Sequence, residues 1–213
     1  LESKFYQIRK DYGRLTLDRE HLHPWPLEQL KNWLQEAISS EQTEPTAMSL
    51  ASVDVTGQPS QRIVLMKGVT DKGICFYTNY QSRKGAHFLF HPKASALFFW
   101  PKMERQVRIE GVVQKLSEQQ SDEYFSSRPR DSQIGAWASP QSEFITNRKA
   151  LEDRFETFKA KFEGQPVPRP PHWGGYILIP HRFEFWQGGP NRLHDRFEYY
   201  LTPNGWVIRR LAP

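Results

Sequence analysis

Ala47-Met48-Ser49-Leu50-Ala51-Ser52-Val53, a turn at Asp54-Val55-Thr56-Gly57-Gln58-Pro59, and Ser60-Gln61-Arg62-Ile63-Val64-Leu65-Met66-Lys67 form the stretch that decides the fold. Side chains alternate with a period of two on both sides of the turn, the pattern of strands with two unlike faces. In the second run Arg62, Val64 and Met66 face one way, and Ile63, Leu65 and Lys67 the other. A further turn, Thr70-Asp71-Lys72-Gly73, leads into a third strand from Ile74 to Asn79. Short strands joined by glycine-bearing turns predict an antiparallel meander.

Upstream, Leu27, Leu30, Leu34, Ala37 and Ile38 recur at helical spacing behind Pro26, which suits the first position of a helix. Residues 1–26 are polar and charged and are expected to form a mobile arm. Downstream, Ser82 caps a short helix that Pro92 stops, and two strands follow, Ala94–Trp100 and Gln106–Leu116. Ser117 opens a helix ended by Pro129, Asp131–Trp137 a short one, and Leu151, Phe155, Phe158 and Phe162 mark a longer one. The last strands are expected at Trp173–Gln187, Arg192–Leu201 and Trp206–Arg210. Gly164 to Pro171 is a proline-rich extended connector, but with no repeat or domain boundary to divide it, the chain reads as a single domain over 1–213, mainly β with helical additions. The arrangement expected is a small barrel, its site completed by the strands of 174–213.

Composition narrows the chemistry. The chain has 213 residues, a net charge of +5, and seven Trp, eight Tyr and fourteen Phe. The excess of base predicts anionic partners such as phosphates, nucleotides or nucleic acid. Cys75 is the single cysteine and sits in the apolar run Ile74-Cys75-Phe76-Tyr77, so it reads as a buried thiol in a reducing, cytoplasmic setting. No apolar run approaches the ~18–20 residues of a membrane span, and no membrane association is expected. Neither a cysteine cluster nor a histidine spacing supports a metal site, and neither a hydrolase elbow nor a P-loop is present.

The chemistry concentrates in Phe185-Trp186-Gln187-Gly188-Gly189-Pro190-Asn191-Arg192-Leu193-His194-Asp195-Arg196. If the chain is extended from Arg192 onward, Arg192, His194 and Arg196 share one face, where two guanidiniums flank an imidazole. Such a face calls for an anion or an electron-rich ring opposite; a solvated hairpin edge is the plain alternative. Arg62, Lys67, Arg83, Lys84 and Arg128, with Tyr77, Tyr124 and Trp186, extend the same basic and aromatic character. Arginine forks grip phosphate and rings stack on planar ligands. By residue type alone, a phosphorylated aromatic ligand and a single-stranded nucleic acid on a basic barrel both fit.

The order of the motifs separates these readings. Arg62–Lys67, Phe76-Tyr77-Thr78-Asn79, Ser82-Arg83-Lys84 and Glu104-Arg105-Gln106-Val107 resemble blocks of the pyridoxine (pyridoxamine) 5′-phosphate oxidases. So do Tyr124–Pro129, Ser132-Gln133-Ile134-Gly135-Ala136, Gln141-Ser142, Trp173-Gly174-Gly175-Tyr176, Glu184–Gly188, Arg192–Arg196 and Arg210-Leu211-Ala212-Pro213. The resemblance covers almost the whole chain. It implies an FMN-binding split β-barrel and a homodimer with the flavin at the subunit interface. The implied reaction is oxidation of pyridoxine or pyridoxamine 5′-phosphate by dioxygen, giving pyridoxal 5′-phosphate and hydrogen peroxide. Matched to the flavin are Arg62, Ile63, Val64, Leu65, Met66, Lys67, Tyr77, Thr78, Arg83, Lys84, Gln106, Gln141, Ser142, Trp186 and Arg196. Matched to the substrate are Lys67, Tyr124, Arg128 and Ser132 at its phosphate, and Arg192, Leu193 and His194 over its ring. Arg192 and His194 are the implied catalytic pair, and Arg9 and Tyr12 match a segment that covers the occupied site. A flavin binder without this activity, or a nucleic-acid-binding barrel, would have no need of the Tyr124, Arg128, Ser132 and Arg192-Leu193-His194 blocks.

Overall fold

The computed structural model describes residues 11–13 and 15–213, and among these residues it has nine strands and five α-helices. The first helix, α1 (Pro26–Ser39), starts with proline at its first turn and buries Gln29, Leu30, Trp33 and Ala37. Ile38, expected on the apolar face, is instead 48% exposed, because Trp33 centres the buried stripe. Strands β1 (Ala47–Val53) and β2 (Pro59–Leu65) follow, then the short β3 (Gly68–Val69) and β4 (Ile74–Asn79). Helix α2 (Arg83–Phe90) precedes β5 (Lys93–Trp100) and β6 (Arg105–Lys115). The helices α3 (Glu118–Ser126), α4 (Arg130–Ala138) and α5 (Arg148–Lys161) then lead to β7 (Trp173–Gln187), β8 (Asp195–Thr202) and β9 (Gly205–Leu211).

The sheet order is β2-β1-β5-β6-β7-β4-β3, with β8 paired to β7 and β9 to β8. This corrects the meander. β4 does not continue beside β2 but pairs antiparallel with β7, Phe76 opposite Tyr176 and Tyr77 opposite Gly175. The physical reason lies in burial: β4 is buried on nearly every residue, whereas β2 keeps alternate residues exposed. A strand that apolar needs cover on both faces. Strand β7 changes partner along its length. Its first part pairs with β4 as far as Leu178, and its second pairs with β8 from Arg182. Pro180, which has no N–H to give a ladder, falls in the gap.

By contact the chain divides into two compact units. The first holds the chain up to Leu50 with Ser95–Gly111 and Pro180–Pro213; the second holds Ala51–Ala94 and Val112–Ile179. Strands β1, β5, β6 and β7 run covalently from one to the other. The first unit packs Leu30, Trp33, Phe98, Trp100, Phe183, Phe185 and Tyr199, with Trp33 edge-on to Phe185 at 5.2 Å. Leu17 and Leu22, from the stretch expected as an arm, are also buried there, and the Leu17 N–H donates to Asp195. The second unit has a cluster of Phe125, Ile134, Phe162, Val167 and Trp173, against which Phe155 and Phe158 pack from α5. No described helix is long and apolar enough to cross a membrane.

Candidate active site

Ser82 accepts the Gly85 N–H and so starts α2, aiming two consecutive basic residues, Arg83 and Lys84, from its first turn. The start sits hard against the preceding turn: a Cβ on Gly85 would lie 2.0 Å from the Tyr80 carbonyl oxygen. Lys84 is buried and donates to Thr78 Oγ1 (2.9 Å), Ser82 Oγ (3.2 Å) and Gln141 Oε1 (2.8 Å). All three acceptors are neutral. Burial, with help from the charge of Arg62, pulls the Lys84 pKa down to about 8. Arg62, from β2, donates to Ser52 Oγ at 2.8 Å and Ser60 Oγ at 2.6 Å. Burial and the neighbouring Arg83 lower its pKa too. Ser60, Gln61, Arg62, Arg83, Lys84 and Ser142 line a cavity of about 370 Å³. Three cations, Arg62, Arg83 and Lys84, around one space with no acidic residue in its lining describe a seat for an anion.

A second cavity in the same unit, about 260 Å³, is lined by Asn79, Arg128, Ser132, Ser139, Gln141 and Trp173 among others. Arg128 lies 4.6 Å above the Trp173 ring, and its Nη1 is a buried nitrogen with no hydrogen-bond partner among the described residues. Burial lowers the Arg128 pKa, and Tyr124 acts against that. An orphaned guanidinium N–H costs stability unless a ligand satisfies it. Tyr77 and Tyr124 stack at 3.8 Å beside it. Burial pushes the Tyr77 hydroxyl up to about 12, so it stays a neutral donor. Gln141 belongs to both places, lining the second cavity while accepting from Lys84 and Thr78 at the first.

The first unit carries the second set of expected residues. Trp186 and His194 approach to 4.8 Å, and Tyr12 packs edge-on to both, at 5.6 and 5.8 Å. Gly188 leaves the room: a Cβ there would meet Tyr12 at 2.8 Å. His194 Nδ1 accepts the Gly189 N–H at 3.1 Å, which puts the proton of the neutral ring on Nε2. Arg196 is held by both oxygens of Glu184, at 3.2 and 3.0 Å, and donates to the Ala212 carbonyl.

The extended run expected from Arg192 is corrected. Pro190–Arg192 is a 3-10 turn, Asn191 and Arg192 both have positive φ (54° and 64°), and β8 begins only at Asp195. Proline fixes the first position of this turn and the Leu193 N–H closes it on the Pro190 carbonyl. Arg192 therefore does not share a strand face with His194 and Arg196. Arg192 and Leu193 are exposed.

Comparison with known proteins decides what such a chain is. A family model described as pyridoxamine 5′-phosphate oxidase matches residues 34–162, and one described as the pyridoxine 5′-phosphate oxidase C-terminal dimerisation region matches 173–213. The chain belongs to the pyridoxamine 5′-phosphate oxidase family. The pyridoxine/pyridoxamine 5′-phosphate oxidase of Cupriavidus taiwanensis is 51% identical over 207 residues, 97% of each chain. That of Salinibacter ruber is 50% identical over 214 residues, covering 99% of this chain and 100% of that one. Among solved structures, PhzG from Burkholderia lata, in complex with tetrahydrophenazine-1-carboxylic acid, has a TM-score of 0.90 at 31% identity, covering 95% of this chain and 100% of that one. A pyridoxamine 5′-phosphate oxidase-related, FMN binding protein from Nostoc punctiforme shares the fold, with a TM-score of 0.71 at 16% identity, over 90% of this chain and 100% of that one. The fold is the split β-barrel of this family.

Of the residues expected at the site, the structure gathers Arg62, Arg83, Lys84, Thr78, Gln141 and Ser142 around the first cavity. Arg128 and Ser132 line the second, with the Tyr77–Tyr124 stack beside it. Tyr12, Trp186 and His194 form the third group. Ile63, Leu65 and Lys67 stand exposed on the outer side of the β2 stretch, Val64 is half-buried, Met66 is buried, and Lys67 lines neither cavity. Gln106 is half-buried on β6, and Arg9 lies outside the described residues. Residue reading missed Ser60 and Trp173. Ser60 was legible, standing two residues before Arg62 and so on the same side of the strand. The sequence also holds one His-x-x-x-His pair, His87 and His91, contrary to the expectation of no such spacing.

Proposed function

We propose that this chain uses FMN to oxidise pyridoxine 5′-phosphate and pyridoxamine 5′-phosphate to pyridoxal 5′-phosphate, a reading supported by its 50–51% identical relatives, which are named pyridoxine/pyridoxamine 5′-phosphate oxidases. Dioxygen is the final acceptor in this reading. It leaves as hydrogen peroxide, and the amine substrate takes up water and releases ammonia. The observation that carries the reading is the pair of anion seats in one unit, joined by Gln141: one cationic cavity for each of two phosphorylated ligands. The lining supports FMN in this place, because Arg62, Arg83 and the buried Lys84 meet around a space whose other lining residues are neutral, which suits a phosphate.

Arg62, Arg83, Lys84 and Ser142 hold the FMN phosphate, and Thr78 and Gln141 fix the Lys84 ammonium. Ile63 to Lys67, Tyr77, Gln106, Trp186 and Arg196 complete the flavin's surroundings. FMN supplies, when bound, the two-electron acceptor that no side chain here provides. Arg128, Ser132, Tyr124 and Lys67 bind the substrate phosphate, with the Arg128 Nη1 N–H gaining its missing acceptor. Arg192 and Leu193 meet the substrate ring, Arg192 as a permanent cation that orients rather than exchanges a proton. His194 donates from Nε2 to the substituent on substrate C4′; its Nδ1 is engaged with Gly189 and does not serve as a base while that bond stands. Tyr12, packed on Trp186 and His194, covers the ring. Two chains form a homodimer through the matched dimerisation region, with the flavin at the subunit interface. Residues 1–213 work as one domain in the cytoplasm, a reading supported by the four strands that run through both units and by the lone Cys75.

Purified protein should be yellow, with a flavin absorption spectrum and about one FMN per chain released on denaturation and identified by mass. Protein that is colourless and takes up no FMN on titration contradicts the reading.

A further inference from the structure

A buried polar chain leads away from the first cavity. Arg62 Nη1 donates to Ser52 Oγ at 2.8 Å, and Ser52 Oγ lies 3.0 Å from His87 Nδ1. Ser52 is 0% exposed and His87 8%. The directions of these bonds follow from counting protons. Arg62 occupies one lone pair of Ser52 Oγ, so the serine's own proton turns elsewhere. With His87 Nδ1 accepting it, no buried O–H is stranded. The reverse assignment, Nδ1–H donating into the serine, would leave that proton without an acceptor among the described residues. The polarity is therefore Arg62 to Ser52 to His87, with His87 neutral and its proton on Nε2.

We propose that His87 and Ser52 are positioning residues of the anion cavity. His87 fixes the hydroxyl rotor of Ser52, Ser52 fixes one arm of the Arg62 guanidinium, and neither touches the ligand. Ser52 and Ser60, the two hydroxyls on Arg62, are both neutral, so they orient the guanidinium without discharging it. His87 stands one helical turn after Arg83 on α2. The helix that presents Arg83 and Lys84 thus also sets the aim of Arg62, on a different strand. A carboxylate at either relay position would orient Arg62 equally well but cancel the charge the phosphate needs. The inference rests on the FMN reading above, and its test separates the two.

The test compares FMN with riboflavin, which has the same ring and no phosphate, by flavin-fluorescence titration of the full-length apoprotein. Wild type should bind FMN far more tightly than riboflavin; equal affinities would remove the phosphate reading of the cavity and this inference with it. His87→Phe keeps the bulk and loses the acceptor, and should weaken FMN binding about tenfold while leaving riboflavin unchanged. His87→Asn offers Oδ1 where Nδ1 stood and should restore most of the loss. Ser52→Ala, which breaks the relay in the middle, should repeat the selective loss and serves if His87→Phe does not fold. Long-range proton–nitrogen NMR on the holoprotein should find His87 neutral and protonated on Nε2. An Nδ1–H tautomer, wild-type FMN affinity in Ser52→Ala, or equal losses of FMN and riboflavin would overturn the proposal.

Discussion

Lys84 places its three N–H bonds on Thr78, Ser82 and Gln141, all of them neutral acceptors. Burial, and then the charge of Arg62, takes its pKa from 10.5 to about 8. Between those values the unfolded chain keeps a proton that the folded, unliganded protein has lost, so stability without ligand rises with pH across this window. A phosphate opposite the amine reverses the penalty, and binding above pH 8 must take up a proton. FMN affinity should therefore weaken as pH rises past about 8, approaching about tenfold per pH unit. Lys84→Met should weaken binding at neutral pH and flatten this dependence; a wild-type dissociation constant that stays level from about pH 7 to about pH 9.5 would contradict it. Arg128 gives a prediction of opposite signs. Its orphaned Nη1 disfavours the empty fold, so Arg128→Met should hold or raise unliganded stability, by up to about 1 kcal/mol. The same change should raise KM for the phosphorylated substrate by about ten- to a hundredfold, since a charge-assisted contact is lost. Chemical denaturation and steady-state kinetics read the two effects separately.

At the scale of elements, α2 shows how little freedom the cradle has. Gly85 rests on the Tyr80 carbonyl, and a methyl group at 2.0 Å from that oxygen forces the helix start to move. Gly85→Ala should cost about 1–3 kcal/mol of stability and weaken FMN binding, because Arg83 and Lys84 move with the turn. Unchanged FMN affinity would show that the cradle does not depend on this packing. The serine cap and the basic pair were legible in sequence because capping is local chemistry. Strands β1, β4 and β7 were legible with their bounds for a similar reason: a period of two, or an unbroken apolar run between turn residues, is a local signal. The partner of β4 was not. Cys75 and Ile177 pair across about a hundred residues, and nothing in either strand's own pattern names the other. The turn at Pro190–Arg192 was misread because positive φ at Asn191 and Arg192 comes from the closure on Pro190, not from residue types that announce it. Gln141 and Ser142 carry no local signal at all, and only the family resemblance pointed to them. His87 was passed over because its role needs Ser52 and Arg62, which the fold brings together.

For the whole molecule, the expected flavin ligands fall into an early group that includes Arg62, Arg83 and Lys84, and a late group of Trp186 and Arg196. In the proposed homodimer each site takes one group from either chain, and two-fold symmetry makes the two sites equivalent. Arg62→Ala and Arg196→Ala, each nearly inactive alone, should then complement. In their heterodimer one site carries both lesions and the other neither, so unfolding and refolding an equal mixture should recover up to about a quarter of wild-type sites. A remixed sample that holds heterodimers and stays as inactive as its parents would place both groups in one chain. The central claim is the oxidation itself, and product formation tests it most directly. With FMN added, pyridoxine 5′-phosphate and pyridoxine are each supplied to the protein in air, and the aldehyde product is followed by its absorbance. The account predicts pyridoxal 5′-phosphate from the first, with kcat/KM for unphosphorylated pyridoxine lower by about a hundredfold or more. No aldehyde from either compound, or equal turnover of both, would contradict it.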